Sequence, residues 1–213
     1  MLPIPRHLPE IEIMDTKVLI FKPVFELGLW NSWILTLFIV LHPVIMNIID
    51  KALGTGDLSQ KMGDVPSAEG KKRHFPIPTL LLFVLFIFSI FLPLRLHTPW
   101  LYIGILIYLI GIAMFLSSII TAVKKPLGLV FSQGMYRYSR HPLYLSFLLV
   151  FIGISVAAAS WLFLLLSLGW MAFPLSQVSV EERGCLETFG ADYQEYMQRT
   201  PKWLGIPKKQ SGP

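Results

Sequence analysis

Residues 133–144 read Gln-Gly-Met-Tyr-Arg-Tyr-Ser-Arg-His-Pro-Leu-Tyr, and a long apolar segment follows them directly. The 39 residues from Pro142 to Val180 contain no Asp, Glu, Lys or Arg, and the segment ends at two adjacent carboxylates, Glu181 and Glu182. Ionisable groups beside an apolar membrane segment are costly unless they have partners. The pattern therefore predicts a membrane hairpin whose two ends meet in one polar site.

The composition indicates an integral membrane protein. Hydrophobic residues make up 54% of the 213 residues and charged residues only 15%, whereas soluble domains carry about 25% charged residues. The net charge of +5 comes from bases in loops beside apolar segments, so we predict no nucleic-acid partner. With a single cysteine, Cys185, neither an internal disulfide nor a Cys-based metal site can form, and we predict no metal.

The apolar segments predict five membrane crossings. A helix needs about 20 apolar residues to cross a hydrocarbon core, and Leu27–Ile49, Phe75–Leu94 and Thr98–Val123 each supply them. As one helix, Pro142–Val180 would be about 58 Å long, so this segment crosses twice and turns near residues 157–160. We therefore predict an all-α integral membrane protein with five transmembrane helices and a short amphipathic helix at its C-terminus.

The positive charges orient these helices. Fourteen of the eighteen Lys and Arg residues fall on the side of the C-terminus, and such residues accumulate on the cytoplasmic side. The predicted N-terminus is outside, the C-terminus is cytosolic, and both polar clusters face the cytosol. We expect a multi-pass protein of a prokaryotic cell membrane rather than of the endoplasmic reticulum.

Each polar cluster has a specific and a general interpretation. Pro142 suits the first position of a helix, which places Arg140 and His141 at a helix N-terminus that can bind a carboxylate or phosphate. They could equally anchor the helix among lipid headgroups. The carboxylates Glu181 and Glu182 would oppose the dipole at a helix end unless a cation meets them. The aromatic residues after them, with Trp203, are typical of membrane-interface anchors.

Taken together, the two clusters resemble a known family. The pattern Gly-x-Tyr-x-x-x-Arg-His-Pro-x-Tyr at 134–144 is followed by Glu-Glu at 181–182 and by Phe-Gly-x-x-Tyr-x-x-Tyr at 189–196. This combination resembles the isoprenylcysteine carboxyl methyltransferase family and the wider set of membrane methyltransferases that includes phospholipid N-methyltransferases. The resemblance covers residues 121–203.

The resemblance implies S-adenosylmethionine as the cofactor, bound under the cytosolic membrane surface. It divides the chain into an N-terminal part, residues 1–97, and a cofactor-binding core, residues 98–213. Arg140 and His141 suit the methionyl carboxylate, and Glu182 is the candidate general base, so Arg140 and Glu182 are the candidate catalytic residues. The implied cofactor-binding residues are Thr121, Gly128, Leu129, Val130, Phe131, Tyr136, His141, Pro142, Leu143, Tyr144 and Glu181.

One position departs from the family. The prenylcysteine enzymes carry a substrate-binding arginine four residues before the glutamate that corresponds to Glu181, and this chain has Gln177 there. An amide cannot replace the paired charged bonds of a guanidinium to a carboxylate. We therefore expect Gln177 at the substrate site and an acceptor without an essential carboxylate, an amine or a thiol. The expected partners are membrane lipids and a lipid-soluble or lipidated substrate that enters from the bilayer.

Two other functions remain open. NADPH-dependent steroid and sterol reductases share a similar C-terminal core, and Cys185-x-x-x-Phe189-Gly190 fits a spacing found in them. The phosphate of NADPH would favour more cations than this region offers, and Glu181-Glu182 opposes it. A non-enzymatic scaffold or small transporter is the other alternative. His42, beside Pro43 in the first apolar segment, is either functional or a partner for carbonyl groups that the proline leaves free; we favour the latter.

The charge distribution makes a direct prediction of topology. A reporter fused to the C-terminus should be cytosolic, and one fused to the N-terminus should be external, because the basic loops are retained inside. Accessibility of the two reporters in intact cells measures this. Both termini on one side would contradict the five crossings.

Overall fold

The chain is described from a computed structural model that covers residues 25–53, 76–124, 126, 129–130 and 132–208. These residues form five α-helices and one short 3₁₀ helix, Gly134–Arg137. We number the α-helices in chain order: α1 Trp33–Ala52, α2 Pro76–Ile90, α3 Pro99–Lys124, α4 Pro142–Ala157 and α5 Trp161–Arg199.

The regular secondary structure of the described ranges is helical, and an isolated bridge joins Asn31 and Pro93. Helices α1, α3 and α5 are long and apolar enough to cross a membrane, so the chain is a membrane protein. The apolar helices α2 and α4 are shorter; at 1.5 Å per residue the 16 residues of α4 span about 24 Å. Five crossings and their orientation stay a prediction.

The first helix begins later than the hydropathy pattern predicts. Residues before Trp33 pair instead with the chain that leaves α2: the N–H of Ser32 donates to the carbonyl oxygen of Leu92, and the N–H of Leu94 donates to that of Trp30. The buried side chain of Asn31 donates to the carbonyl of Ile90 at 2.7 Å. These bonds satisfy backbone groups that a longer helix would have used, so hydropathy alone misplaces the helix start.

Glycines allow α3 and α4 to pack against each other at backbone distance. A Cβ atom on Gly153 would lie 2.6 Å from the backbone nitrogen of Tyr108, and one on Gly111 would lie 2.9 Å from that of Val150. A Cβ on Gly104 would collide with the backbone of Ala157. Small residues serve this purpose in membrane helices, and Gly153 and Ala157 of α4 lie at these contacts with α3.

Helices α4 and α5 form the predicted hairpin. Helix α4 ends at Ala157, Ala158 and Ala159 form the turn, and Ser160 caps α5 by accepting a hydrogen bond from the N–H of Phe163 at 3.2 Å. Helix α5 then continues past the carboxylates as far as Arg199. Its backbone becomes non-helical at Gly190, where φ is +52°, a value that glycine adopts readily. The predicted C-terminal helix, which begins at the carboxylates, is therefore a continuation of α5, and the break at Gly190 divides it. We call the residues beyond this break the far part of α5.

His42 has a structural role. Pro43 has no N–H for the carbonyl oxygen of Ile39, which lies four residues earlier. The Nδ1 atom of His42 lies 2.5 Å from this same oxygen, and its ring packs edge-on against Phe115 and Phe147. The imidazole replaces the hydrogen bond that the proline removes, which agrees with the structural interpretation.

The α3–α4 packing can be tested with two glycines. We expect Gly153→Ala to lower the free energy of unfolding by about 1–3 kcal/mol, the usual cost of overpacking, because its Cβ would meet backbone atoms. Gly169→Ala in α5 is the matched control, since no described atom lies within 4 Å of the added Cβ. Thermal unfolding of both variants in detergent measures the difference. Equal stability of the two variants would contradict the close packing.

Candidate functional site

Three side chains from two chain segments converge on the carboxylate of Glu182. The Nη1 atom of Arg140 and the Nε2 atom of His141 both lie 3.1 Å from Glu182 Oε1, and the Nζ atom of Lys202 lies 3.4 Å from Oε2. The side chains of Arg140 and Glu182 are only 10% and 11% exposed. A buried carboxylate requires such partners. The predicted meeting of the two ends of the hairpin is therefore observed.

Glu181 lies beside this cluster and has different partners. Its Oε1 atom accepts a hydrogen bond from the hydroxyl group of Tyr144, and its Oε2 atom is 3.8 Å from His141 Nδ1. We treat residues 161–180, the uncharged part of α5, as the membrane segment, so Glu181 lies just beyond it. Burial raises the pKa of Glu181, while the Tyr144 bond opposes this shift.

His141 links the two carboxylates. A carboxylate only accepts hydrogen bonds, so the 3.1 Å contact with Glu182 places a proton on Nε2. Burial lowers the pKa of His141, and the hydrogen bond to Glu182 partly opposes this. The neutral ring stacks on Tyr144, with ring centres 5.8 Å apart and an interplanar angle of 10°. His141 is thus held between two carboxylates and an aromatic face.

The break at Gly190 lies just before two tyrosines that support the site. The hydroxyl group of Tyr196 donates to the backbone carbonyl of Tyr136 at 2.7 Å, and the rings of Tyr193 and Tyr196 are 5.7 Å apart. Burial raises the pKa of Tyr136, and the negative charge of Glu181 raises it further. The far part of α5 therefore holds the 3₁₀ helix against the carboxylates.

Gly134 fixes the other side of the 3₁₀ helix. Its φ is +56°, and a Cβ atom there would collide with the hydroxyl group of Thr121. Thr121 donates to the carbonyl oxygen of Ser117 in its own helix at 2.8 Å. Both the backbone conformation and the close approach to α3 therefore require glycine at this position.

The C-terminal residues contribute to the site in a way that the sequence pattern did not predict. The carbonyl of Pro201 accepts from the N–H of Arg140 at 3.1 Å, and the hydroxyl of Ser139 donates to the carbonyl of Lys202 at 3.5 Å. Trp203 lies with its ring centre 6.0 Å from that of His141, although its position predicted a membrane anchor. These contacts could not be predicted from the pattern of side chains, because most of them use backbone atoms.

The predicted site residues are only partly brought together. The bonds given above connect five of them: Arg140, His141, Tyr144, Glu181 and Glu182. The charge of Glu181 also acts on the nearby Tyr136, whose pKa it raises. Pro142 is buried at the first position of α4, and Leu143 packs against apolar residues of α3. Leu129 is exposed and Val130 is half-buried. Gly128 and Phe131 lie outside the described residues.

Gln177 stands apart from the cluster in the described structure. It is exposed, and its Nε2 atom donates to the hydroxyl oxygen of the neighbouring Ser176 at 3.1 Å. One helical turn separates it from Glu181 on α5, so it lies on the same face of the helix. Its assignment to a substrate site stays a prediction.

Comparison with known proteins gives two matches. Residues 72–200, more than half of the chain, match the family described as "Protein of unknown function (DUF1295)". A stretch of 67 residues is 40% identical to methanethiol S-methyltransferase 2 of Bradyrhizobium diazoefficiens. This stretch is 32% of the chain, and it spans only 25% of that protein's length.

The tyrosine contact can be tested with a conservative substitution. We expect Tyr196→Phe to cost about 1–2 kcal/mol of stability, because the buried carbonyl of Tyr136 loses its hydrogen-bond donor. Tyr138→Phe is the control, since Tyr138 is 43% exposed and directly follows the 3₁₀ helix that contains Tyr136. Thermal unfolding in detergent compares them. A control as destabilised as the test variant would argue against the role of this bond.

Proposed function

The chain belongs to the DUF1295 family, and we propose that it is an S-adenosylmethionine-dependent membrane methyltransferase. The observation that carries this proposal is the polar cluster in which Arg140, His141 and Glu182 meet Tyr144 and Glu181. The similarity of one stretch to a protein named as a methyltransferase supports it. The proposed location is the cytosolic face of a five-helix protein in a prokaryotic membrane.

The cluster has the charge pattern that the amino-acid end of this cofactor needs. The Nη1 atom of Arg140 faces Glu182, whereas its Nε atom is buried without a hydrogen-bond partner among the described residues, so the guanidinium has a donor left for a carboxylate. Glu181 is positioned to accept hydrogen bonds from an ammonium or from ribose hydroxyls. The faces of His141 and Tyr144 are an aromatic surface suited to a sulfonium cation. The residues present therefore fit the cofactor.

The bound cofactor would supply an activated methyl group, which an acceptor receives by displacement as the methyl–sulfonium bond breaks and S-adenosylhomocysteine leaves. The protein's part is to hold donor and acceptor in line. Glu182, which the sequence analysis offered as the general base, contacts two permanent cations and His141. These contacts occupy both oxygens of its carboxylate. We therefore assign Glu182 to holding these cations in place rather than to accepting a proton.

A thiol is the acceptor that this site favours. An unperturbed thiol has a pKa near 8.5, so a few per cent is ionised at neutral pH without help from a base. Gln177, uncharged and exposed, offers no paired charged bonds to a carboxylate. The similarity to a protein named for methanethiol points the same way. We propose a lipid-soluble thiol that reaches the site from the bilayer.

Cofactor binding tests the site directly. We expect His141→Ala and Glu181→Ala each to weaken S-adenosylmethionine binding by about 1–3 kcal/mol, the range for losing a hydrogen bond to a charged group. Gln177→Ala should bind the cofactor as the wild type does. Isothermal titration of the purified protein measures these affinities, with S-adenosylhomocysteine and NADPH as further ligands. Unchanged affinity in both variants would refute the site, and binding of NADPH alone would favour a reductase.

The acceptor is tested with labelled cofactor. We expect the protein to methylate a lipid-soluble thiol faster than a headgroup amine or a prenylated cysteine analogue, since only the thiol ionises easily and needs no cation. In Gln177→Arg, methylation of the prenylcysteine carboxylate should rise relative to the thiol. Efficient methylation of the prenylcysteine alone by the wild type would show that a different cation serves the acceptor.

A further inference from the structure

Residues 200–208 form a segment that returns from the end of α5 and lies along the chain before α4; we call it the C-terminal strap. Its backbone is bonded at both ends: the carbonyl of Pro201 accepts from the N–H of Arg140 at 3.1 Å, and the N–H of Gly205 donates to the carbonyl of Tyr138 at 3.0 Å. The strap therefore has a fixed position relative to the cluster around Glu182.

The buried hydroxyl group of Ser139 joins the strap to the site. It accepts a hydrogen bond from the N–H of His141 at 3.1 Å and donates to the carbonyl of Lys202 at 3.5 Å. Ser139 is fully buried. One hydroxyl thus sets the backbone of both His141 and Lys202, so the two side chains approach Glu182 from fixed starting points.

Lys202 is not needed to neutralise Glu182. Arg140 already supplies a cation 3.1 Å from its Oε1 atom, where His141 also donates a hydrogen bond, and Lys202 is the more distant partner at 3.4 Å from Oε2. The Lys202 side chain is 34% exposed, compared with 10% for Arg140. An ammonium group has three donors, so contact with one carboxylate oxygen leaves donors for a ligand.

The two permanent cations of the cluster both pair with Glu182, which makes this the positive part of the cluster. Arg140 and Lys202 both contact Glu182, whereas Glu181 contacts Tyr144 and approaches His141. Glu182 thus holds two positive groups together against their mutual repulsion. Because one carboxylate cannot cancel two cations, this part of the cluster keeps one positive charge and Glu181 carries the negative charge. An amino-acid group complements this arrangement, because its carboxylate can face the cations and its ammonium group can face Glu181.

We propose that Lys202 is a cofactor-binding residue that pairs with the cofactor's carboxylate alongside Arg140, which makes the C-terminal strap one wall of the site. This inference rests on the proposed function, because it assumes S-adenosylmethionine as the ligand. Lys202 lies beyond residues 72–200, the part of the chain that matches the family. The assignment therefore depends on the geometry of this chain.

The experiment compares two ligands that differ in one group. The affinities of S-adenosylmethionine and of its decarboxylated analogue are measured by titration for the wild type, Lys202→Met and Lys202→Arg. We expect Lys202→Met to bind S-adenosylmethionine about 10-fold more weakly, as for one lost charged hydrogen bond, and to bind the decarboxylated analogue at least as tightly as the wild type does. Lys202→Arg should restore most of the loss.

Lys208→Met is the matched control, since Lys208 is an exposed lysine of the same strap and its backbone bond to Arg199 does not involve its side chain. This variant should bind both ligands as the wild type does. If Lys202→Met weakens both ligands equally, Lys202 only holds Glu182 in place and the inference is wrong. An unchanged affinity for S-adenosylmethionine overturns it too.

The same titrations separate this inference from the proposed function. If the wild type binds neither ligand, the proposed function itself fails. If the wild type binds S-adenosylmethionine but the two ligands respond alike to every substitution at Lys202, only the assignment of Lys202 fails. Because each variant serves as its own reference between the two ligands, a moderate loss of stability does not obscure the comparison.

Discussion

The burial of the Glu182 carboxylate is the constraint on which the rest of the site depends. An unpaired charge in a buried position is strongly destabilising, so the chain must bring cations to it from the segment before α4 and from the residues after α5. Arg140 and Lys202 meet this requirement, and His141 adds a hydrogen bond to the same carboxylate. The loop before α4, the far part of α5 and the C-terminal strap are thereby fixed relative to one another by one carboxylate.

Close helix packing fixes the positions of Arg140 and His141, which contact this carboxylate. The glycines of α3 let α4 approach at backbone distance, and Gly134 lets the 3₁₀ helix lie against Thr121. The N-terminus of α4, with Arg140 and His141, is therefore held on a rigid pair of helices. Tyr196 holds the 3₁₀ helix from the opposite side through the carbonyl of Tyr136. A site that aligns two reactants needs such support, because small displacements reduce the benefit of alignment.

The proposed methyl transfer requires little from the protein beyond the alignment of donor and acceptor. A methyl group on a sulfonium is already activated, and a thiol acceptor ionises near neutral pH. The cluster suits such a reaction, because it can bind a zwitterionic ligand while Glu182 remains paired with Arg140 and Lys202. The reaction does not need a strong base, and the environment of Glu182 is unsuited to provide one.

The helical segments could be predicted from the sequence, because apolar runs of this length have few stable alternatives in a membrane. The turn after Ala157 followed from the length of the uncharged run, and the meeting of Arg140 with the carboxylates followed from the cost of unpaired charge. Only the tertiary structure decided which carboxylate takes which partner, since Glu181 and Glu182 are neighbours and one helical step of about 100° separates their directions.

Only the tertiary structure, too, revealed Lys202, Ser139 and the late start of α1. These features rest mainly on backbone hydrogen bonds between residues far apart in the chain, such as that between Arg140 and Pro201. Every residue except proline carries the same backbone donor and acceptor, so no pattern of side chains predicts such a contact. The sequence thus determined the helices and the charges that had to be paired, and the tertiary structure determined the pairing.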